Sequence, residues 1–146
     1  MDTPPCALKF NGYVVKTIEF IKNESSSTNI RVDIGKKFNY DEKYPNKFSV
    51  GLKITLGDKD PDTTSPFYLC VELLGEFEVV ESEIDKVRQF AEINAVSILF
   101  PYARALITTI TANANIPPVV LPPMNIAGMM ENKNEETEDE NCSTIE

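Results

Sequence analysis

Between Phe48 and Leu56 the chain alternates without interruption, with Phe48, Val50, Leu52, Ile54 and Leu56 on one side and Ser49, Gly51, Lys53 and Thr55 on the other. A strand with one buried face leaves this period of two. The same period predicts three further strands. In Tyr13 to Ile21, Val14, Lys16, Ile18 and Phe20 fall on one side and Tyr13, Val15, Thr17, Glu19 and Ile21 on the other, as in a strand with contacts on both faces. In Asn29 to Tyr40, Ile30, Val32, Ile34, Phe38 and Tyr40 share a face opposite Arg31, Asp33, Lys37 and Asn39, the one-face-wet pattern of an antiparallel sheet. Pro66 to Val80 places Phe67, Leu69, Val71, Leu73, Phe77 and Val79 in one register and Tyr68, Cys70, Glu72, Leu74, Glu76 and Glu78 in the other. Gly75 is the expected site of a bulge or bend.

From Glu83 the period lengthens to three and four, through Ile84, Val87, Phe90, Ala91 and Ala95, which predicts an amphipathic helix capped by Ser82. Beyond Ile93 this helix is apolar on nearly every side as far as Ala112. One small sheet covers one side of it, so a second copy of the chain is expected on the other. Pro101 lacks an N–H and clashes one turn back, which predicts a kink near Phe100. Asn113-Ala114-Asn115 ends the helix, and four prolines keep Ile116 to Pro123 extended. Met124 to Met130 suits a short helix, and the tail from Glu131, with seven acids and one Lys, is expected to be disordered. The fold class is therefore α+β, with residues 1–11 as an arm, 12–130 as one domain and 131–146 as an acidic tail.

Composition narrows the functions. A formal charge of −9 without a Lys/Arg cluster disfavours nucleic acid. The chain has no histidine, which removes Ser-His, Cys-His and His-metal chemistry and disfavours an enzyme. Its three cysteines, Cys6, Cys70 and Cys142, form no disulfide framework and no zinc pattern, as expected of a reducing cytoplasm. The N-terminus has neither a basic nor an apolar signal region, so a cytoplasmic location is expected. Asp58, Asp60 and Asp62 mimic the start of a calcium loop, but Thr63 stands where the sharp turn needs Gly and Leu69 where the bidentate Glu belongs. No metal or cofactor is expected. Ile93 to Ala112 is long enough to span a bilayer, yet Arg104 at its centre makes insertion costly, so no membrane insertion is expected. Asp60 to Asp85 holds eight acids and no Lys or Arg, which predicts a concentrated negative potential on one face or edge of the sheet.

Leu99-Phe100-Pro101-Tyr102-Ala103-Arg104 and the downstream Leu121-Pro122-Pro123-Met124-Asn125 resemble the signature of the SecB family of export chaperones. The order of elements is similar too, over about residues 10–130, and Leu69-Cys70 and Gly75 fit the family pattern. The resemblance implies a homotetramer, a dimer of dimers with its long helices sandwiched between sheets. Such an assembly holds preproteins unfolded and passes them to the translocase motor SecA. Two stretches depart from the family. Ile18 to Glu24 replaces an acidic first-strand run, and Val71 stands where a glutamate follows Leu-Cys, with Glu72 one place later. Both fall on the surface where the family docks SecA. The terminal helix is also shorter. Divergent relatives instead protect an aggregation-prone antitoxin of a toxin–antitoxin pair.

Three sets of residues follow from combining the pattern with the resemblance. Client contact is expected at Phe77, Val79, Ile116, Val119, Leu121, Met124, Ile126, Met129 and Met130, where flexible Met and stiffly held aliphatics accept many sequences. Docking of a SecA-like partner is expected at Leu69, Glu72, Glu76 and Glu78. Contact between copies is expected at Leu99, Phe100, Tyr102, Arg104, Leu106, Ile107 and Ile110, with Arg104 paired to a carboxylate. The expected function is an ATP-independent holdase for export precursors. The alternatives are a dedicated antitoxin chaperone and a structural adaptor with one permanent partner.

Overall fold

The computed structural model describes residues 7–60, 64–80 and 82–123. Among the described residues, four strands, β1 (Ala7–Lys22), β2 (Val32–Tyr40), β3 (Lys47–Gly57) and β4 (Phe67–Val80), are followed by one helix, α1 (Ile84–Asn113). The strands form a single antiparallel sheet in the order β1-β4-β3-β2, so β1 and β2 are its edges. The α+β architecture read from the hydrophobic pattern is the one observed. β1 starts at Ala7, inside the stretch expected to be an arm, and β2 starts at Val32, three residues later than expected. The expected helix over Met124 to Met130 and the acidic tail lie outside the described residues.

Cross-strand register explains the core. Phe48, Val50, Leu52, Ile54 and Leu56 of β3 stand beside Phe77, Gly75, Leu73, Val71 and Leu69 of β4, all on the face that α1 covers, and all are buried. α1 meets that face with Ala91, Ala95, Leu99, Ala103 and Ile107, each fully buried. The alanines of this row, Ala91, Ala95 and Ala103, let the helix approach closely. Gly75 completes the fit: a Cβ there would lie 2.9 Å from Phe77 Cε1 and 3.1 Å from a Leu99 methyl. It marks the helix crossing rather than a bulge.

The irregularities sit in β1 instead, between Phe10 and Tyr13 and between Val15 and Thr17. Gly12, with φ of 113°, occupies the first. The second regroups the faces expected from simple alternation. Tyr13 opposes Gly75 and Val15 opposes Leu73, whereas Ile18 opposes Val71 and Phe20 opposes Leu69, so all four face the helix side.

The start of α1 is held from outside. Its N-cap residue is Glu83, which makes no side-chain cap bond, and Ser82 does not serve. Asn46, in the β2–β3 turn, does the work: its Oδ1 accepts from the Ile84 N–H at 3.1 Å, and its Nδ2 donates to the Ser82 and Val79 carbonyls at 2.7 and 3.0 Å. The helix breaks at Val87, whose φ and ψ of −130° and 19° are not helical, while Pro101 is carried with helical backbone on the exposed side. Just past the break, Tyr40 of β2 donates its hydroxyl to Glu92, and the Arg88 guanidinium lies 4.4 Å over the Tyr40 ring. The far end closes with Asn115 at φ of 65°, as Asn115 and Ile116 N–H groups reach back to the Ala112 and Thr111 carbonyls. By length and composition α1 is apolar enough to cross a membrane, but here its alanine stripe packs on the sheet.

Asn46→Ala strips three partners from the β4–α1 corner and is expected to cost about 2 kcal/mol, read from urea or thermal unfolding. Tyr40 supplies a pH dependence. Burial first, and then the Glu92 carboxylate, raise its hydroxyl pKa well above the ordinary tyrosine value of about 10. The folded state thus keeps a proton that the unfolded state releases, so the stabilisation is whole below about pH 10 and is lost as the pH climbs beyond it. Stability curves of wild type and Tyr40→Phe should run parallel between about pH 6 and pH 9, with only the wild type falling steeply above about pH 10.

Candidate functional site

Two apolar areas flank α1. The helix is narrower than the sheet, and β1 projects beyond its cover. Tyr13, Val15 and Ile18 face the helix side yet remain 39%, 41% and 50% exposed. Tyr102 leans over them from α1, with its ring 4.7 Å from Tyr13 and 5.8 Å from Phe10, and is itself 42% exposed. Phe10 stacks in turn on the buried Phe77 at 5.1 Å. The result is an aromatic end continued by an aliphatic strip along an edge strand.

On the other side of α1 lies the proline segment. Tyr102 and Arg104 are two residues apart and so project in nearly opposite directions. Arg104 Nε donates to the Leu121 carbonyl at 2.8 Å, and Thr108 Oγ1 donates to the Val119 carbonyl at 2.7 Å. Thr111 Oγ1 accepts from the Val119 N–H at 2.9 Å while donating to the Ile107 carbonyl. A row of three polar side chains along the helix thus satisfies the backbone of an extended segment, which prolines prevent from pairing with the sheet. Leu121 is buried, Ile116 and Val119 are half-buried, and Val120 is 68% exposed.

The predicted residues distribute unevenly. Of the client set, Phe77, Val79 and Leu121 belong to the core, because they point between sheet and helix or beneath the segment itself. Met124, Ile126, Met129 and Met130 lie outside the described residues. Of the set expected between copies, Leu99, Phe100 and Ile107 are buried against the chain's own sheet, whereas Tyr102, Arg104, Leu106 and Ile110 keep exposed surface. Arg104 meets a carbonyl rather than the expected carboxylate. Of the docking set, Leu69 is fully buried on the helix side, while Glu72, Glu76 and Glu78 line the opposite face, so the four do not come together.

The expected negative potential is diluted by register. Lys53 stands beside Glu72, and Lys47 and Lys9 stand on either side of Glu78. Cross-strand neighbours lie about 5 Å apart, so lysines distant in sequence offset the acid row. The residues missed by sequence reasoning are Val15 and Ile18 as a shared exposed face, hidden by the bulge, and Thr108 and Thr111. The spacing of Arg104, Thr108 and Thr111 at three and four residues was the available signal for the latter.

A family model described as preprotein translocase subunit SecB matches residues 15–137. A protein of Methanocaldococcus jannaschii described only as uncharacterized is 58% identical over 151 residues, spanning 100% of this chain and 97% of its own. The protein-export protein SecB of Neorickettsia sennetsu is 38% identical over 72 residues, 48% of this chain and 44% of its own, and that of Dichelobacter nodosus is 31% identical over 84 residues, 57% and 54%. The match therefore spans about half the length of these two SecB proteins. Among solved structures, a SecB-like chaperone of Mycobacterium tuberculosis in complex with a peptide from an antitoxin superposes with a TM-score of 0.66 at 14% identity, covering 81% of this chain and 91% of that one. At that identity the likeness is one of fold.

The burial contrast within the proline segment is testable by paired substitutions. Val120→Asp should leave stability within about 0.5 kcal/mol of wild type, whereas Leu121→Asp should lose several-fold more, about 3 kcal/mol, by chemical denaturation.

Proposed function

The chain belongs to the SecB family, and on that premise we propose that it is an ATP-independent holdase of the cytoplasm that keeps unfolded polypeptides from aggregating. A chaperone role fits the family. The observation that carries the finer reading is the proline segment, held extended outside the sheet with Val120 68% exposed and Ile116 and Val119 half-buried. Exposed apolar surface of this kind marks an interaction site. Holding works by mass action: a chaperone present at about 100 times its Kd for the unfolded client favours that state by about 2.7 kcal/mol, with no chemical step and no nucleotide.

We assign two uses to the apolar areas. The β1 edge is 16 residues long and carries Tyr13, Val14, Val15, Ile18 and Ile21 all partly exposed, whereas the opposite edge, β2, has 9 residues and leaves only Val32 comparably exposed. This contrast supports assembly of copies through β1 and α1, with Tyr102, Leu106 and Ile110 between them, and a dimer of dimers as the completed form. The proline segment, with Ile116, Val119 and Val120, is assigned to clients, together with Met124, Ile126, Met129 and Met130. Preproteins are the client class that the family suggests. A dedicated antitoxin chaperone is the second reading, favoured by the fold neighbour solved with an antitoxin peptide. SecA docking on Glu72, Glu76 and Glu78 is the weaker assignment, since Lys9, Lys47 and Lys53 offset the charge that a basic partner would need.

Dilution of a denatured client into the purified protein should give suppressed light scattering, half-maximal near one assembly per client. Protection of several unrelated clients supports the general holdase, and protection of an antitoxin alone supports the dedicated one. Failure with all of them overturns the proposal.

A further inference from the structure

The bonds that hold the proline segment to α1 go only to main-chain atoms. Arg104 and Thr108 take the carbonyls of Leu121 and Val119, and Thr111 takes the Val119 N–H. Two residues of extended chain rise about 6.6 Å and four residues of helix about 6 Å, so a row at positions 104 and 108 matches alternate carbonyls of any extended peptide. Nothing in these bonds depends on the segment's side chains. Only burial does: Leu121 fills an apolar socket at 4% exposure, Val119 is half-buried, and Val120 between them points to solvent.

We propose that Arg104, Thr108 and Thr111 form a binding site for the backbone of an extended polypeptide, which the chain's own segment occupies until a client segment with aliphatic residues two apart replaces it. This rests on the client-holding reading above. The incoming carbonyls make the bonds that the departing ones give up, so the polar contributions nearly cancel and the balance is set by the side chain that fills the Leu121 socket. The site rejects proline at the position equivalent to Val119, because the Thr111 hydroxyl needs an N–H there. Prolines 117, 118, 122 and 123 suit the resident segment to this exchange. They hold it extended at small entropic cost when bound and keep it out of the sheet when released.

The test uses the full chain, with methyl-labelled leucine and a reduced, carboxymethylated unfolded protein as the client. At saturation the Leu121 methyl signals should move from their buried positions to random-coil positions. Thr108→Val should change the client Kd by less than two-fold, since resident segment and client lose the same bond. Leu121 signals that stay in place with the client bound overturn the exchange while leaving the holdase reading intact. Binding that tightens on the order of five-fold in Thr108→Val, the weight of one hydrogen bond, shows the segment to be a plain cover and also overturns it. A wild-type chain that binds no unfolded protein removes both readings.

Discussion

A single helix about 10 Å across has to cover a sheet whose outer strands lie about 14 Å apart, and it cannot reach both edges. It settles over β3 and β4, where Gly75 and the alanine stripe allow the closest approach. Burial follows from that choice: Val50, Leu52 and Leu73 are wholly enclosed, while Tyr13, Val15 and Ile18 on the same face of β1 are not. The bare strip is a consequence of where the core closes most tightly. It exists because one helix is one helix wide.

The polar groups around this core are satisfied by long-range partners. Asn46 caps a helix that starts 38 residues later, and Tyr40 of an edge strand reaches Glu92 just past the Val87 break. At the far end, the row from Arg104 to Thr111 satisfies an extended segment that lacks a ladder of its own. Both ends of α1 are therefore tied down by bonds crossing between elements. Between them Ala95, Leu99 and Ala103 hold the helix to the sheet by apolar contact, and on its last turns the partly exposed Leu106 and Ile110 remain for another surface.

Much of the fold was legible in the residues. Alternation from Phe48 to Leu56 and from Phe67 to Val79 identified the central strands, and every one of the apolar residues they put on one face is buried. The change of period at Glu83 located α1 to within a residue. The site was less legible. Leu121 looks like any exposed aliphatic residue in sequence, because its burial depends on a helix that packs over it, while Phe77 and Val79 stand in the register of the buried face and were nevertheless expected at the client site. The bulge in β1 was invisible because Val14, Val15 and Ile18 are apolar in either register, so no pattern marks which of them turns inward.

Local periodicity and proline placement determined the strands, the helix and the extended segment by themselves, because burial on one face and the loss of an N–H act within a few residues along the chain. Tertiary structure decided the rest. The acid-rich stretch from Asp60 to Asp85 meets Lys9, Lys47 and Lys53 only through strand register, and Asn46 displaces Ser82 as helix cap only because the β2–β3 turn folds against the β4–α1 corner. Which apolar residues stay exposed depended on the width of one helix against four strands, and a linear pattern carries no measure of that width.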